Sequence, residues 1–375
     1  MKKFKRILIW SSIAAFIEFA MLFSLNHIYS KSLDTYSEVK SVPTQVKKTY
    51  NDVKIPEDAE NIKVSYDGKY VSYYENKVLK IANTRDESDS TIDSSSNSEI
   101  CYSKWLPDSN LLLLCEKDIK NKVTFFSYDA DKNSKRELTD FDTKTLKIEI
   151  DNKNDKVDNI TLSTANHVMY VKISHKDSTS EVYKINVMNQ VEKMRTSNDM
   201  IGYISMLHND TNLIYEDAEN EEIKNLVKTT VKTPVKTSVN KKAKEKDTGK
   251  FTEKEVTKNL NIQFEDDNKK FLLATDDEDR IYVGTVENDK VSSIIYGDLK
   301  TPTDQWKALK LQESVDRKDI AITKEGNMYI KNDANGVAKN IATSIETKYK
   351  GNFVEICDQY IYTLYDNKLI RTPLK

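Results

Sequence analysis

Glycine, proline, histidine and cysteine are scarce in this sequence, with 8, 6, 4 and 3 residues among 375. No Gly-rich loop that cradles phosphate, no H-E-x-x-H or C-x-x-C metal motif and no G-x-S-x-G elbow of serine hydrolases is present. The 58 basic and 60 acidic side chains nearly cancel, so no overall field favours nucleic acid. We therefore expect no cofactor, no metal site, no catalytic residues and no nucleic-acid partner.

The remaining route to catalysis is a pair of carboxylates. Cleavage of a glycosidic bond needs only two Asp or Glu side chains at roughly 5 to 10 Å. Predicted turns carry several candidates, but turn propensity alone explains them: Asp108, Asp210, Asp266, Asp267 and Asp316. We expect His167 and His175, on either side of an apolar strand, to be structural, and Trp105 and Trp306 to be core residues. The sequence leaves open whether the protein is an enzyme and favours a protein without catalytic activity.

The N-terminus has the pattern of a membrane anchor. Four basic residues lie within residues 2–6, KKFKR, and residues 7–25 form a mostly apolar run that is long enough to span a bilayer as a helix. No small-residue cleavage site follows it. We predict a cytoplasmic tail at 1–6, an uncleaved transmembrane signal anchor at 7–25 and a linker at 26–45. By the positive-inside rule the rest of this single-pass protein is extracytoplasmic.

Glu18 interrupts the apolar run near its middle. An ionisable side chain at that depth costs about 2.5 to 3.5 kcal/mol on insertion. One interpretation is that Glu18 contacts another membrane protein. The alternative is a protonated side chain that the helix tolerates without a partner.

Three cysteines, Cys101, Cys115 and Cys357, follow the anchor. Cys101 and Cys115 are nearly equidistant from the turn PDSN at 107–110, so we expect them to face each other across a hairpin. Their Cβ atoms would then be about 4.5 to 5.5 Å apart. The sequence predicts either two buried thiols or a strained cross-strand disulfide.

A repeated unit runs through the rest of the chain. Residues 70–84, YVSYYENKVLKIANT, align with residues 360–374, YIYTLYDNKLIRTPL. Similar strand–turn–strand units recur about every 40 to 57 residues, which is typical of propeller blades. For the fifth and sixth units we predict LNIQF and KALKLQ as first strands, with FLLAT and DIAIT as the second strands. The sequence thus predicts an all-β propeller of about seven blades, with six as the alternative count, over residues 46–375.

The two ends of the chain are predicted to meet. The chain ends after the third strand of the last unit, and residues 46–55, VKKTYNDVKI, precede the first unit without a partner there. We expect this segment to complete the last blade, because closure removes exposed sheet edges.

Two segments resemble a known group. VSYDGKYVSYY and KWLPDSNLLLL are similar to the S-P-D-G-K-x-I-A-F blade motif of TolB-type propellers and of the propeller domain in the prolyl oligopeptidase class. The resemblance implies a propeller and a habit of binding peptides, proteins or glycans. It carries no functional residue across, and the chain has no room for the hydrolase domain of that class.

One segment differs in composition. Residues 224–258 contain 11 Lys and 4 acidic residues, and residues 227–250 have few large apolar groups. Such a segment does not offset the entropy of ordering. We predict a flexible Lys-rich insertion at about 227–258 that is either a solvated excursion or an arm for anionic wall polymers or lipid head groups.

Together these features predict a membrane-anchored, extracytoplasmic propeller that acts as a non-catalytic binding or scaffolding module. Its expected partners are the bilayer, through residues 7–25, and another membrane protein, an envelope protein or an anionic wall polymer. The alternatives are an envelope glycan-acting hydrolase and a sensor or accessory subunit that pairs through Glu18.

Overall fold

The computed structural model describes residue 50 and residues 52–140, 142–234, 251–264, 268–357 and 359–375. The predicted tail at 1–6, the anchor at 7–25 with Glu18 and the linker at 26–45 lie outside these residues. Within the described part of the chain, no helix combines the length and the apolar character needed to cross a bilayer.

The described residues form seven antiparallel sheets, which are the blades of a β-propeller. Blade 1 contains β2 (Glu60–Val64), β3 (Tyr70–Glu75), β4 (Val78–Asn83) and β5 (Asp89–Ile92). Blade 2 contains β6 (Ser98–Trp105), β7 (Leu111–Asp118), β8 (Lys122–Asp129), β9 (Ser134–Glu137) and β10 (Lys147–Glu149). Blade 3 contains β11 (Lys156–Ser163), β12 (Val168–Ser174), β13 (Ser180–Ile185) and β14 (Val191–Lys193).

The other four blades complete the ring. Blade 4 contains β15 (Ile201–Met206), β16 (Leu213–Asp217), β17 (Glu222–Pro234) and β18 (Phe251–Asn261). Blade 5 contains β19 (Lys270–Thr275), β20 (Ile281–Glu287), β21 (Lys290–Gly297) and β22 (Lys307–Val315). Blade 6 contains β23 (Ile320–Ile322), β24 (Met328–Asn332), β25 (Val337–Asn340) and β26 (Glu346–Lys348), and blade 7 contains β27 (Asn352–Cys357), β28 (Tyr360–Tyr365), β29 (Lys368–Pro373) and β1 (Val53–Lys54).

The order of strands in each blade gives the propeller two distinct faces. The first strand of a blade contacts the first strands of its neighbours and lies nearest the axis. The first and third turns of each blade lie at one end, which we call the hairpin face. The second turn and the connection to the next blade lie at the other end, the connection face.

Blades are held together by apolar clusters on their faces. One cluster joins blades 2 and 3 and includes Leu113, Phe125, Ile160 and Ile173. Another joins blades 3 and 4 and includes Tyr170, Ile204 and Leu213. Each sheet is apolar on both faces, so only neighbouring blades can cover it. This mutual burial is why the sequence repeats.

The ring closes between the two ends of the described chain. β1 pairs with β29 in the registers Val53 with Leu369 and Lys54 with Lys368. The Ile55 amide then donates to the Asn367 carbonyl at 2.8 Å. Val53 and Leu369 are buried in one cluster with residues of blade 1. The predicted all-β fold, its seven blades and its closure by the segment before the first unit are confirmed.

The predicted strands of the fifth and sixth units are shifted by one. FLLAT lies in β19, the first strand of blade 5, and LNIQF overlaps the end of β18, the outermost strand of blade 4. KALKLQ lies in β22, the outermost strand of blade 5, and DIAIT overlaps β23, the first strand of blade 6. The error arose because outer strands carry the same alternation as inner ones.

The ends of the Lys-rich segment are strands. β17 and β18 continue beyond blade 4 as a two-stranded ribbon, paired from Lys224 with Asn261 to Pro234 with Phe251. The sequence predicted a flexible insertion at about 227–258, but its Val and Thr residues favour extended pairing. The middle, 235–250, lies outside the described residues.

Gly68 is required where blade 7 meets blade 1. Its φ is +70°, and a Cβ at this position would lie 1.8 Å from the Tyr362 hydroxyl oxygen. Tyr362 is buried on β28. The turn of blade 1 therefore fits over a tyrosine of the last blade only because residue 68 has no side chain.

We predict that Gly68→Ala lowers the free energy of unfolding by about 2 to 4 kcal/mol, because it adds backbone strain and a clash at the ring closure. Urea denaturation measures this loss. In a Tyr362→Phe background the same change is expected to cost less, because the hydroxyl is gone. A neutral Gly68→Ala would contradict this account of the contact.

We also predict that the ribbon is dispensable for the fold. Replacing residues 229–256 with an Asn-Gly turn keeps the β16–β17 pairing and the pairs that join 224–228 to 257–261. The free energy of unfolding should change by less than about 1 kcal/mol, because a two-residue turn of this type closes a hairpin. A loss of more than about 2 kcal/mol in urea would show that the ribbon is part of the folded unit.

Candidate functional site

Charged residues lie on the innermost strands of three consecutive blades. Lys63 is on β2, Lys104 on β6 and Glu355 on β27, which are the first strands of blades 1, 2 and 7. The charge of Lys63 acts on both Lys104 and Glu355. Lys63 is exposed although it lies on an inner strand, so solvent fills a channel here. We call Lys63, Lys104 and Glu355 the axial site.

The inner strands are irregular where they approach the axis. Six of the seven first strands shift register against the second strand, and such bulges turn side chains away from the ordinary alternation. The shifts fall between positions 60 and 63, 100 and 102, 157 and 159, 201 and 204, 272 and 274, and 353 and 355. Lys63 and Glu355 are each the first paired residue after a register shift.

The environment of the axial site changes its proton affinities. The Lys104 side chain is half-buried, and this burial, together with the like charge of Lys63, lowers the pKa of Lys104 to about 8. The Lys104 ammonium donates to the Ile160 carbonyl at 2.6 Å. Burial also raises the pKa of Glu355, although Lys63 and the Val64 amide oppose the rise. Groups with such shifted pKa values mark functional sites more often than chance.

An arginine borders the connection-face end of the channel. Arg317, in the link between blades 5 and 6, lies 2.8 Å from a Glu216 carboxylate oxygen and also donates to the Leu272 carbonyl. Its guanidinium carbon is 5.0 Å from the Tyr203 ring centre and 5.2 Å from that of Phe271. Glu216 accepts the amides of Leu272 at 2.6 Å and Tyr203 at 2.9 Å. This network ties blades 4, 5 and 6 together.

The hairpin-face end of the channel is crossed by a lysine. Lys324, in the first turn of blade 6, donates to the Pro107 carbonyl in the first turn of blade 2 at 3.3 Å. These blades lie on different sides of the ring, so the contact spans its mouth. The connection face is therefore the more open way to the axial site.

A second concave region lies between blades 5 and 6. This inter-blade cleft has a volume of about 840 Å³. Its lining includes the consecutive residues 310–316 and, on blade 6, apolar Ile330, Val337 and Ile341. Charged side chains of both signs border it: Lys290, Lys310, Lys318, Lys331, Lys339, Glu313, Asp316, Asp319, Asp333 and Glu346.

The cleft exists because β22 leaves its ladder. Ser293 is paired with Lys310 and Val291 with Val315, so residues 311–314 have no registered partner on β21. On the opposite wall, Lys331 lies 2.8 Å from Asp333, which also accepts the Tyr349 hydroxyl at 2.8 Å. Although burial opposes it, these contacts hold the pKa of Asp333 below its ordinary value. One wall is thus fixed by ion pairs, and the other presents four residues that have no registered partner on β21.

The structure brings Cys101 and Cys115 together, but not directly opposite each other. Cys115 is registered with Tyr102, and Cys101 occupies the shift beside it. The Cys101 Sγ lies 3.3 Å from the Cys115 carbonyl oxygen, and both thiols are free. Burial raises the pKa of Cys101 to about 12 and that of Cys115 well above its ordinary value. They are packed as apolar side chains.

The aspartates predicted in turns do not all lie at the same end of the propeller. Asp108 and Asp210 lie in first turns on the hairpin face, and Asp316 lies at the connection face beside the inter-blade cleft. Asp266 and Asp267 are outside the described residues. Trp105 and Trp306 are buried core residues, as predicted.

The histidines have structural partners. His175 Nδ1 lies 3.0 Å from a buried Asp155 carboxylate oxygen, and His208 Nδ1 lies 3.5 Å from Asp277. His167 stands in the first turn of blade 3 at φ +53°. In the described part of the chain, no cluster of three or more His, Cys, Asp or Glu side chains fits a metal ion.

Sequence reasoning missed the axial site, although a signal exists. Lys63, Lys104 and Glu355 each lie directly before an apolar residue at or next to the end of a first strand: IKV, SKW and VEI. The inter-blade cleft had no comparable signal, because it arises from a change of register.

We predict that the pH dependence of stability reveals Lys104. Its folded pKa of about 8 lies below the ordinary 10.5, so its charged form is disfavoured in the folded state. Relative to Lys104→Met, the wild-type free energy of unfolding should rise between about pH 8 and 10.5, by about 1 to 3 kcal/mol. Parallel urea melts across this range measure the difference. A constant difference would contradict the lowered pKa.

Comparisons with known proteins support the fold. No protein-family model matches the sequence, and no curated protein matches it. A catalytically inactive virginiamycin B lyase from Staphylococcus aureus, solved with quinupristin, has a TM-score of 0.50 at 11% identity over 87% of this chain and 99% of that one. A prolyl endopeptidase has a TM-score of 0.50 at 10% identity over 84% of this chain and 46% of its own.

A further similar structure, from the mitotic checkpoint complex, has a TM-score of 0.46 at 10% identity and covers 89% of this chain and 98% of that one. The lyase and the endopeptidase have different activities and low identity to this chain. The likeness therefore specifies the fold alone, a seven-bladed propeller of the type also found in prolyl oligopeptidases, as the blade motifs indicated.

Proposed function

We propose that this protein is a non-catalytic binding module that residues 7–25 anchor in the cell membrane, with the propeller outside the cell. The basic tail and apolar run support the anchor and its orientation. β1 begins at Val53, so roughly 27 residues separate the end of the anchor from the ring.

The inter-blade cleft carries the binding proposal. Residues 311–314 have no partner in the ladder, and an extended peptide can pair with such free backbone groups. The aliphatic floor suits apolar side chains, and the walls present charges of both signs. An extended polypeptide segment has both features, so the favoured partner is a polypeptide segment of another envelope protein.

The other parts of the molecule extend this role. The Lys-rich ribbon carries the charge that would attract an anionic wall polymer or lipid head groups. Glu18 is the position at which another membrane protein would pair within the bilayer. Each of these contacts adds to a platform that holds neighbouring envelope components together.

Site-specific crosslinking in cells tests the cleft. A photoreactive amino acid at the exposed Ser314 should give a discrete crosslinked product, whereas one at the exposed Lys120 on blade 2 should not. Glu313→Pro removes a backbone donor and should reduce the product at least about fivefold, whereas Glu313→Ala should keep it. Thermal melts establish that both variants fold.

Equal products from Ser314 and Lys120, or equal products from both Glu313 variants, would contradict pairing in the cleft. Fractionation and protease digestion of intact cells test the location. The chain should sediment with membranes and be cleaved from outside, and a chain without residues 1–25 should do neither.

A further inference from the structure

The axial site holds two ammonium groups with unused hydrogen-bond donors. Each ammonium has three donors and no acceptor. The Lys63 ammonium forms no hydrogen bond or ion pair with any described residue. The Lys104 ammonium donates to the Ile160 carbonyl alone, which is a neutral partner. Both ammonium groups therefore have hydrogen-bond donors without an acceptor among the described residues.

The charges at this site are not balanced by the protein. Lys63 acts as a like charge on Lys104, and among the described residues no ion pair joins Glu355 to either lysine. One Glu355 oxygen already accepts the Val64 amide. An anion between the lysines would replace a repulsion with two charge-assisted hydrogen bonds.

We propose that the axial site, formed by Lys63, Lys104 and Glu355 of blades 1, 2 and 7, binds a small oxyanion, a carboxylate or a phosphate. Two lysine donors select an anion over a cation or a neutral sugar. Glu355 supplies a third contact: in its neutral form it donates a hydrogen bond to the anion, and in its ionised form it repels it. Binding is therefore linked to uptake of protons.

The approach to the site fits an anionic ligand. Entry is from the connection face. The Arg317 guanidinium there, beside Tyr203 and Phe271, is paired with Glu216 at 2.8 Å. The Asp158 carboxylate, on the inner strand of blade 3, is likewise paired with Lys172 at 3.0 Å, so neither ion pair repels an anion. At the opposite end Lys324 crosses the mouth. A small ligand thus enters from one side and stops at the lysines.

This site is separate from the inter-blade cleft. None of its three residues lines the cleft between blades 5 and 6. The oxyanion proposal is therefore tested independently of polypeptide binding. It assigns the propeller a second ligand of a different chemical class.

Calorimetry on the folded propeller with succinate and with inorganic phosphate tests the proposal. The wild type should bind at least one of them, and the pair identifies which oxyanion is preferred. Lys63→Gln and Lys104→Met should each weaken binding at least about tenfold, whereas Lys176→Met, at an exposed position on blade 3, should leave it unchanged. The Lys63 ammonium forms no hydrogen bond or ion pair with a described residue, and the backbone contacts of Lys63 are kept in the variant, so Lys63→Gln also guards against misfolding as the cause.

The pH profile distinguishes an axial site from surface attraction. With Lys104 near a pKa of 8, succinate affinity should fall about tenfold between about pH 6.5 and 9.0, because the ammonium loses its proton. In Lys104→Met the fall should disappear. Absence of binding by both anions, or binding unchanged in Lys63→Gln and Lys104→Met, would overturn the proposal.

Discussion

The pairing of β1 with β29 is the constraint on which the rest of the molecule depends. Two registered residue pairs join chain segments that are more than 300 positions apart. Without them, blade 7 lacks its outer strand, and the chain segment that leads into blade 1 is no longer fastened to blade 7. The closure also buries Val53, Leu369 and Tyr362 in one cluster. Local sequence can build each blade, but only this long-range contact makes a ring.

The axial site is a product of that closure. The Val64 amide donates to Glu355 across the junction of blades 1 and 7, and the Cys357 thiol lies 3.2 Å from the Ser65 carbonyl oxygen. Lys63 is therefore placed near Glu355 by the same junction that closes the ring. The lowered pKa of Lys104 follows from its own burial and from the like charge of Lys63. An open arc of blades would leave these groups in bulk water.

The sequence predicts much of the architecture because burial on both faces forces a repeat. The Asp67-Gly68 turn and the apolar strands on either side of it indicate blade 1 from the sequence alone. The predicted strands of blades 5 and 6 are displaced by one strand, because nothing in the local sequence distinguishes the innermost strand of a meander from the others. Lys63, Lys104 and Glu355 were missed because a charged residue on a strand reads as solvent-facing. Only the closed ring shows that the solvent these residues face lies along the propeller axis.

The inter-blade cleft was beyond prediction for a different reason. It depends on residues 311–314 leaving the ladder while Val315 rejoins it. Such a shift adds residues without changing the alternation of apolar and polar side chains. In the Lys-rich ribbon, the charge content led to the prediction of a flexible segment. The Val and Thr residues at 227–234 instead favour strand pairing. Charge content and strand propensity are separate properties, and here the latter decides the backbone.

Hydrogen exchange of residues 352–374 tests ring closure most directly. Two deletions in the N-terminal region would be compared: one of residues 46–55, which removes β1, and one of residues 30–42, which leaves it. Closure predicts that amides of β28 and β29 exchange much faster in the first variant and at the wild-type rate in the second. Equal protection in both variants would contradict the claim that the N-terminal strand completes the propeller.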